Sequence, residues 1–207
     1  MNQPGSNSLL VVISAPSGGG KTTLCNLLLA ARPRMTRAIT CTTRPPRPGE
    51  QDGVDYYFLT PPEFERRAAA GEFIEHATVF GHRYGTLRSE LLDKLRSGRD
   101  VLLNVDVQGA ESIRVRAQAE PELKCALVSV FLTPQSAAVL EARLTQRNAD
   151  SAAEIRKRLG VARDEVAHWR HFDYLLISQT KAEDLQRMLA ILEAEKMKSA
   201  RSTAPEF

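Results

Sequence analysis

The chain has 207 residues, of which 43% are hydrophobic, and this is enough to bury one sizeable core. Its formal net charge of +3 suits anionic ligands of any size, from a nucleotide to a nucleic acid, and does not choose between them. No basic stretch is interleaved with aromatic residues, and only 6% of the residues are aromatic. We therefore expect no nucleic-acid partner.

The cysteines and the N-terminal segment indicate the cellular compartment. Cys25, Cys41 and Cys125 lie far apart without a Cys-x-x-Cys spacing, which predicts neither a disulfide framework nor a zinc site. Residues 1–8 are polar and lack the charged region and cleavage site of a signal peptide, and the apolar run 9–13 is too short to span a bilayer. We expect a cytoplasmic protein with no membrane partner.

The apolar runs along the chain predict an α/β fold. Residues 9–14 have the pattern of a short buried strand, and residues 21–31 that of a helix, which Pro33 ends. Three later apolar runs of strand length, each followed by a helix-like segment, predict parallel strands joined by crossover helices: 101–105, 126–132 and 174–177. An amphipathic helix is predicted over 181–200. The expected core is a parallel sheet with helices on both faces.

Residues 37–88 interrupt this pattern with short strands and turns. We expect them to form a mixed α+β insertion on a core that is made of residues 1–36 and 89–207. One small helix is predicted inside the insertion, because Thr60 is a suitable N-cap before a proline, and Gly71 follows the predicted end.

A polar, arginine-rich run over residues 143–163 precedes the last predicted strand. Two interpretations are open at this point, a mobile lid over an active site or a charged helical face that only contacts solvent. The arginines of this run are Arg143, Arg147, Arg156, Arg158 and Arg163.

Residues 15–22, with the sequence APSGGGKT, follow a strand and begin a helix, which is the setting of a phosphate-binding loop. Glycines are needed there because backbone N–H groups must approach the phosphate closely, and the helix N-terminus adds a favourable dipole. We expect Lys21 to reach the β- and γ-phosphates and the Thr22 hydroxyl to be an oxygen ligand of Mg²⁺. Ala15 stands where the motif usually has its first glycine.

Further motifs follow in order along nearly the whole chain. The first two are SAPSGGGKTT at 14–23 and TTRPPRPGE at 42–50. The later ones are DYYF at 55–58, FIEHA at 73–77, YGT at 84–86, VDVQGA at 105–110, QRN at 146–148 and KRL at 157–159. Together they resemble the guanylate kinase family. The resemblance implies a P-loop core, a GMP-binding insertion over 37–88 and a helical lid over 143–163.

The resemblance also implies two substrate sites, and transfer of the γ-phosphoryl group of ATP to GMP or dGMP with Mg²⁺ as cofactor. The residues implied for ATP are Ala15, Pro16, Ser17, Gly18, Gly19, Gly20, Lys21, Thr22 and Thr23. Those implied for GMP are Thr40, Arg44, Arg47, Tyr56, Glu75, Tyr84, Thr86 and Asp106. Those implied for catalysis are Lys21, Arg44, Arg147 and Arg158.

The residue types fit these roles on chemical grounds. The guanidinium groups of Arg44 and Arg47 suit the dianionic phosphate of a mononucleotide, and the hydroxyls of Tyr56 and Tyr84 can add donors. Guanine presents N1–H and N2–H₂ as adjacent donors, which a carboxylate can accept, and the resemblance assigns this task to Glu75. The attacking group is already a phosphate oxygen, so catalysis needs positioning and charge neutralisation rather than a general base.

Two positions depart from the family pattern. Relatives usually carry an aspartate two residues before the position of Asp106, whereas this chain has Asn104, which keeps an oxygen but loses a charge that favours Mg²⁺. The family commonly has Asn-Asp after the last strand, whereas this chain has Ser178 and Gln179. The sequence therefore does not decide whether Asn104 takes part in binding Mg²⁺, and it does not specify the adenine contact.

Two other functions are open to a chain with these motifs. A guanylate-kinase-like protein-binding module would typically lack the loop lysine and the lid arginines, whereas Lys21, Arg147 and Arg158 are present. A related ribose bisphosphate kinase would need neither Glu75 nor the full segment 42–50. The sequence does not specify an oligomeric state.

Overall fold

The computed structural model describes residues 7–79, 81–145 and 152–202. Within these ranges the strands, in chain order, are β1 (Leu10–Ser14), β2 (Met35–Arg37), β3 (Cys41–Thr42), β4 (Tyr57–Phe58), β5 (Phe73–Val79), β6 (His82–Leu87), β7 (Asp100–Asn104), β8 (Leu127–Thr133) and β9 (Tyr174–Ile177). They form a five-stranded sheet in the order β2-β7-β1-β8-β9 and a four-stranded sheet in the order β4-β3-β6-β5. All neighbours in the five-stranded sheet are parallel.

Eight α-helices lie in the same described ranges. They are α1 (Lys21–Ala31), α2 (Pro61–Ala69), α3 (Arg88–Arg96), α4 (Val107–Gln118), α5 (Pro121–Ala126), α6 (Ala137–Thr145), α7 (Ala152–Ala167) and α8 (Lys181–Lys196). Short 3₁₀ turns follow α7 and α8, at His168–His171 and Ser199–Arg201. No helix in these parts of the chain combines the length and the apolar character that a membrane crossing requires.

The central strand β1 is buried along its whole length and separates two layers of core. Val11 and Ile13 belong to a cluster that includes residues of α1 and α8, whereas Leu10 and Val12 belong to a cluster with residues of α3, α4 and α5. Successive side chains of a strand point to opposite faces, so a wholly apolar strand needs cover on both sides. The predicted α/β class, a parallel sheet with helices on both faces, is confirmed.

The predicted strands and helices of the core occur, with small shifts at their ends. The strand predicted over 101–105 is Asp100–Asn104, and the one predicted over 126–132 is Leu127–Thr133. The last helix ends at Lys196 instead of residue 200, because Met197 closes it and a separate 3₁₀ turn follows. Parallel strands end at one edge of the sheet, so the loops after β1, β7 and β9 lie together there.

The smaller sheet is built entirely from residues of the segment 41–87, and α2 covers it. Its core contains Cys41, Phe64, Phe73 and Leu87, with the rings of Phe64 and Phe73 stacked 4.4 Å apart. The predicted cap of α2 is present, since the Thr60 side chain accepts from the backbone of the third helical residue. The boundaries of the insertion, 37–88, stay a prediction.

Glu90 connects the two sheets at the start of α3. Its Oε1 accepts from Ile39 N at 2.9 Å, and its Oε2 accepts from the Tyr57 hydroxyl at 3.1 Å. Lys94, one turn further along α3, forms an ion pair with the same carboxylate. Because Glu90 is buried, these contacts hold the chain at the point where it leaves the large sheet.

The arginine-rich segment lies on two helices. Arg143 belongs to α6, and residues 152–163 belong to α7, whereas residues 146–151 lie outside the described residues. The two helices pack through a small apolar cluster of Leu140, Leu144, Ile155, Leu159 and Ala162. The described parts of the polar run are therefore helical and share a small core, and the role of the run as a lid stays a prediction.

Candidate active site

The phosphate-binding loop lies between β1 and α1, as the motif predicts. Gly18 and Gly20 have positive φ angles of 84° and 99°, which favour glycine. A Cβ on Gly18 would also lie 2.9 Å from Leu144 of α6. The loop residues 16–23 line a cleft of about 300 Å³ together with a single residue from elsewhere, Glu165.

Lys21 points back toward its own loop. Its Nζ donates to the Ala15 carbonyl at 2.7 Å. Burial lowers the pKa of Lys21, whereas the nearby carboxylates of Glu165 and Asp106 act in the opposite direction. A lysine that is already largely out of water and faces backbone donors is well placed to interact with phosphate oxygens.

Glu165 is a residue of this site that the sequence analysis missed. It lies in the last turn of α7, and its Oε2 accepts from Ser17 N at 3.2 Å. Burial raises the pKa of Glu165, while the Ser17 N–H and Lys21 lower it. Ser17 and Glu165 are 148 positions apart, so no local sequence pattern could have indicated the contact.

A second, larger cleft of about 590 Å³ adjoins the loop and extends beside α1 to the start of α8. Asp184 organises its far wall, since Oδ2 accepts from Ser178 Oγ at 2.7 Å and Oδ1 accepts from Gln179 N at 2.9 Å. Arg143 Nη2 donates to Ser178 Oγ at 3.4 Å. The departure noted in the sequence at 178–179 therefore lies in this cleft, beside Arg143 and Asp184, which the sequence analysis did not place there.

Four residues predicted for the GMP phosphate meet at one end of the smaller sheet. The Arg44 guanidinium lies 5.5 Å from the centre of the Tyr56 ring, and the Tyr56 and Tyr84 rings are 6.2 Å apart. The hydrogen bond with Glu50 is the main cause of the raised pKa of Arg44, and a hydrogen bond with Tyr84 adds to it. Arg47 is exposed nearby on the same loop. Arg44, Tyr56 and Tyr84 are therefore in mutual contact, and a second cation follows on the same loop.

Glu50, the last residue of the TTRPPRPGE motif, fixes this cluster. Its two carboxylate oxygens accept from Arg44 Nη2 at 2.7 and 2.8 Å, and Oε2 also accepts from Arg47 N at 2.7 Å. The hydrogen bonds from the positively charged Arg44 side chain hold the pKa of Glu50 below its usual value. The sequence analysis quoted Glu50 in the motif but gave it no role.

Glu75 and Thr86 form a buried pair on the neighbouring strands β5 and β6. Thr86 Oγ1 donates to Glu75 Oε1 at 2.7 Å. Burial raises the pKa of Glu75, and the charge of Asp106 adds to the rise, whereas the bond from Thr86 opposes it. Tyr84 lies two residues before Thr86 on β6, so the two side chains share one face of the sheet.

Asp106 lies between the phosphate-binding loop and the pair of Glu75 and Thr86. It is the N-cap of α4, with Oδ1 accepting from Gly109 N at 2.8 Å, and its charge shifts the pKa values of both Lys21 and Glu75. Asn104 is exposed at the end of β7 and pairs in register with Ile13 of β1. Thr40 lies beside β4, where its carbonyl accepts from Tyr57 N at 3.0 Å.

Two residues predicted for catalysis, Arg147 and Arg158, belong to the arginine-rich segment. Arg147 lies outside the described residues. Arg158 is partly buried on α7, seven residues before Glu165 and hence on the same face of that helix. The assignments of Arg147 and Arg158 to catalysis stay predictions.

Comparisons with known proteins identify the family of this chain. The family model described as guanylate kinase matches residues 7–195. Curated guanylate kinases from Paramagnetospirillum magneticum and Bradyrhizobium diazoefficiens are 42% and 44% identical, over 96% and 93% of this chain and 91% and 85% of their own lengths. A crystal structure of guanylate kinase from Anaplasma phagocytophilum has a TM-score of 0.70 and 34% identity, covering 95% of this chain and 90% of that one.

These matches favour neither alternative function, because the similar proteins carry the name of the enzyme over nearly full length. The resemblance recognised in the motifs is confirmed. The chain belongs to the guanylate kinase family, the enzymes that transfer a phosphoryl group from ATP to GMP.

Proposed function

We propose that this chain phosphorylates GMP and dGMP with ATP, with ATP bound at the phosphate-binding loop and the acceptor bound at the smaller sheet. One observation carries the assignment of the acceptor. Tyr84, in the cationic cluster, and Thr86, which holds Glu75, are two residues apart on one face of β6. Two residues of a strand span about 7 Å, so one small ligand lying along this face can contact both groups.

In the acceptor site, Arg44, Arg47, Tyr56 and Tyr84 bind the phosphate of GMP. The Glu75 carboxylate accepts from N1–H and N2–H₂ of guanine, and its orientation is fixed by the hydrogen bond from Thr86. Adenine would instead place the acceptor N1 against the carboxylate. The supporting contacts to the base come from Thr40, Thr86 and Asp106.

In the donor site, the β- and γ-phosphates of ATP bind the backbone N–H groups of residues 15–23 and the Lys21 ammonium. The adenosine occupies the 590 Å³ cleft that runs from the loop to α8. Ser178, held by Asp184 and Arg143, is one of the two residues that depart from the family pattern, and it lines this cleft.

The donor set fits a Mg²⁺ ion that arrives with ATP. The described residues contain no group of three or more His, Cys, Asp or Glu placed to hold a metal ion. Thr22 offers a hydroxyl oxygen at the start of α1, and Asn104 offers an amide oxygen at the end of β7. Mg²⁺ is usually bound by one or two protein oxygens together with phosphates and water, and it neutralises charge on the phosphates.

Catalysis then consists of alignment and charge neutralisation. Lys21 contacts the transferring group from the ATP side, and Arg44 contacts it from the GMP side. Arg147 and Arg158 of the lid add further positive charge around this group. Closure of residues 143–163 over the substrates excludes water, which would otherwise accept the phosphoryl group. Residues 37–88 act as the GMP-binding unit on the core, and the free Cys25, Cys41 and Cys125 accord with a cytoplasmic location.

A coupled assay of ADP release tests the proposal. Purified protein receives Mg-ATP and, in separate reactions, GMP, dGMP, AMP, CMP or UMP. We expect turnover with GMP, lower turnover with dGMP, and at least tenfold lower kcat/KM with the others, since mismatched polar groups in a buried site cost about one to two decades. Equal turnover of AMP and GMP would contradict the assignment of Glu75.

A further inference from the structure

Glu165 places a carboxylate inside the cleft that the phosphate-binding loop forms. The other residues lining this 300 Å³ cleft all belong to the loop and the start of α1. Glu165 comes from α7, a helix of the arginine-rich segment, and it reaches the loop through the bond from Ser17 N at 3.2 Å. The loop is thus contacted by an acidic group from a distant element.

The carboxylate uses the donors that an incoming phosphate needs. A phosphate-binding loop offers backbone N–H groups and a lysine, and Glu165 accepts from one such N–H group while its charge interacts with Lys21. A negative side chain that stays in this position would repel a phosphate oxygen at contact distance. ATP and Glu165 therefore compete for the same part of the loop.

We propose that the Glu165 carboxylate binds the phosphate-binding loop in competition with the phosphate chain of a nucleoside triphosphate, and that the phosphate chain displaces Glu165 when it binds. The proposal rests on the assignment of residues 15–23 to ATP. It gives α7 two functions, because Arg158 lies on the same helix face seven residues earlier. Departure of Glu165 from the loop and approach of Arg158 to the phosphates would then be parts of one movement of α7.

The test is nucleotide binding to the full chain, measured by isothermal titration calorimetry with ATP, both with Mg²⁺ and with EDTA. Glu165→Gln removes the charge but keeps the size and an acceptor oxygen. We expect this variant to bind ATP about tenfold more tightly than the wild type under both conditions, and the difference to shrink at high salt. Asp164→Asn, the same charge change at the exposed neighbouring position, is the control and should leave the dissociation constant within about twofold.

Three results would overturn the proposal. Unchanged ATP affinity would make the Ser17 contact incidental, and weaker binding under both conditions would mean that Glu165 supports the loop in its binding conformation. Weaker binding only with Mg²⁺ would assign Glu165 to the metal instead. GMP binding and wild-type turnover are measured alongside. Turnover of GMP by the wild type tests the proposed function, whereas the ATP affinity of Glu165→Gln tests only the role of Glu165.

Discussion

Thr86 Oγ1 lies 2.7 Å from Glu75 Oε1, in a pair that joins β5 to β6 below the open face of the smaller sheet. Thr86 is fully buried and Glu75 is 8% exposed. A buried carboxylate that keeps one oxygen on a hydroxyl donor has a fixed orientation, and its other oxygen is available to a ligand. This pair is the basis of the first two predictions.

Glu75→Gln should reduce the preference for GMP over AMP mainly by weakening GMP. The new amide can place a donor against the donors of guanine, and a buried mismatch of this kind costs about 1 to 3 kcal/mol. We expect kcat/KM for GMP to fall by about one to two decades in the coupled assay. Thr78→Val on the exposed part of β5 is a control for general disturbance of the strand. Unchanged selectivity in Glu75→Gln would show that the base is recognised elsewhere.

The affinity for GMP should also depend on pH through Glu75. Because burial raises the pKa of Glu75, this carboxyl becomes protonated at a higher pH than an exposed glutamate. Protonation removes its ability to accept both guanine donors, so KM for GMP should rise as pH falls through the raised pKa. The phosphate of GMP titrates equally in both proteins, so the profile of wild type divided by that of Glu75→Gln isolates the residue. A flat ratio would contradict the prediction.

Glu50→Gln should raise KM for GMP by about five- to tenfold while kcat changes less. The change weakens the paired contact that holds the Arg44 guanidinium beside Tyr56 and Tyr84, and hydrogen bonds to charged groups are among the stronger ones in proteins. Glu65→Gln, which removes the exposed ion pair with Arg83 on the same unit, is the control. A lower KM in Glu50→Gln would mean that the carboxylate competes with the phosphate instead of orienting Arg44.

Lys21→Met should lower kcat by about two to three decades without changing the fold. One preorganised donor to developing charge is worth about 2.7 to 4 kcal/mol, and Lys21 is held in the loop by its bond to the Ala15 carbonyl. Single-turnover rates with saturating ATP and GMP measure the effect, and thermal unfolding checks the fold. Lys124→Met on the exposed side of α5 serves as a charge control. Near-normal turnover of Lys21→Met would remove the lysine from the mechanism.

Local sequence patterns were sufficient for the core and for the phosphate-binding loop. The run of glycines after an apolar strand required a tight loop, and the Thr60 cap fixed the start of α2. The two-residue strands β3 and β4 were not individually predictable, because β4 pairs only with β3, and β3 pairs with β6, which lies more than 40 residues further along the chain.

Glu165 was missed because it acts through a contact between distant segments. Glu165 and Ser17 meet only after α7 packs against α6 beside the loop, whereas Asp184 lies six residues after Ser178 and meets it where the chain turns from β9 into α8. Glu50 is different, because it lies in a quoted motif, and the Pro-Gly before it indicated a turn that returns the chain to Arg44. This turn, which brings Glu50 back to two arginines, was the one sequence signal that could have indicated the role of Glu50.

Asn104 is a position where this chain departs from the family pattern, so the resemblance does not predict its role. The residue is exposed at the end of β7, next to the strand that leads into the phosphate-binding loop, and it contributes no negative charge. Among the described residues, the neutral Thr22 hydroxyl is then the proposed metal ligand, so the ATP phosphates provide most of the charge that holds Mg²⁺.

Asn104→Asp should therefore lower the free Mg²⁺ needed for half-maximal rate, at saturating ATP and GMP, by roughly three- to tenfold, because a partly solvated charge contributes about 1 kcal/mol. GMP affinity should change little, since Asp106, the residue proposed to support the base, is unchanged. Gln118→Glu at the far end of α4 adds the same charge and should leave the Mg²⁺ curve in place. Superimposed curves for wild type and Asn104→Asp would make Asn104 a structural residue, and a collapse of GMP affinity would instead place it in the acceptor site.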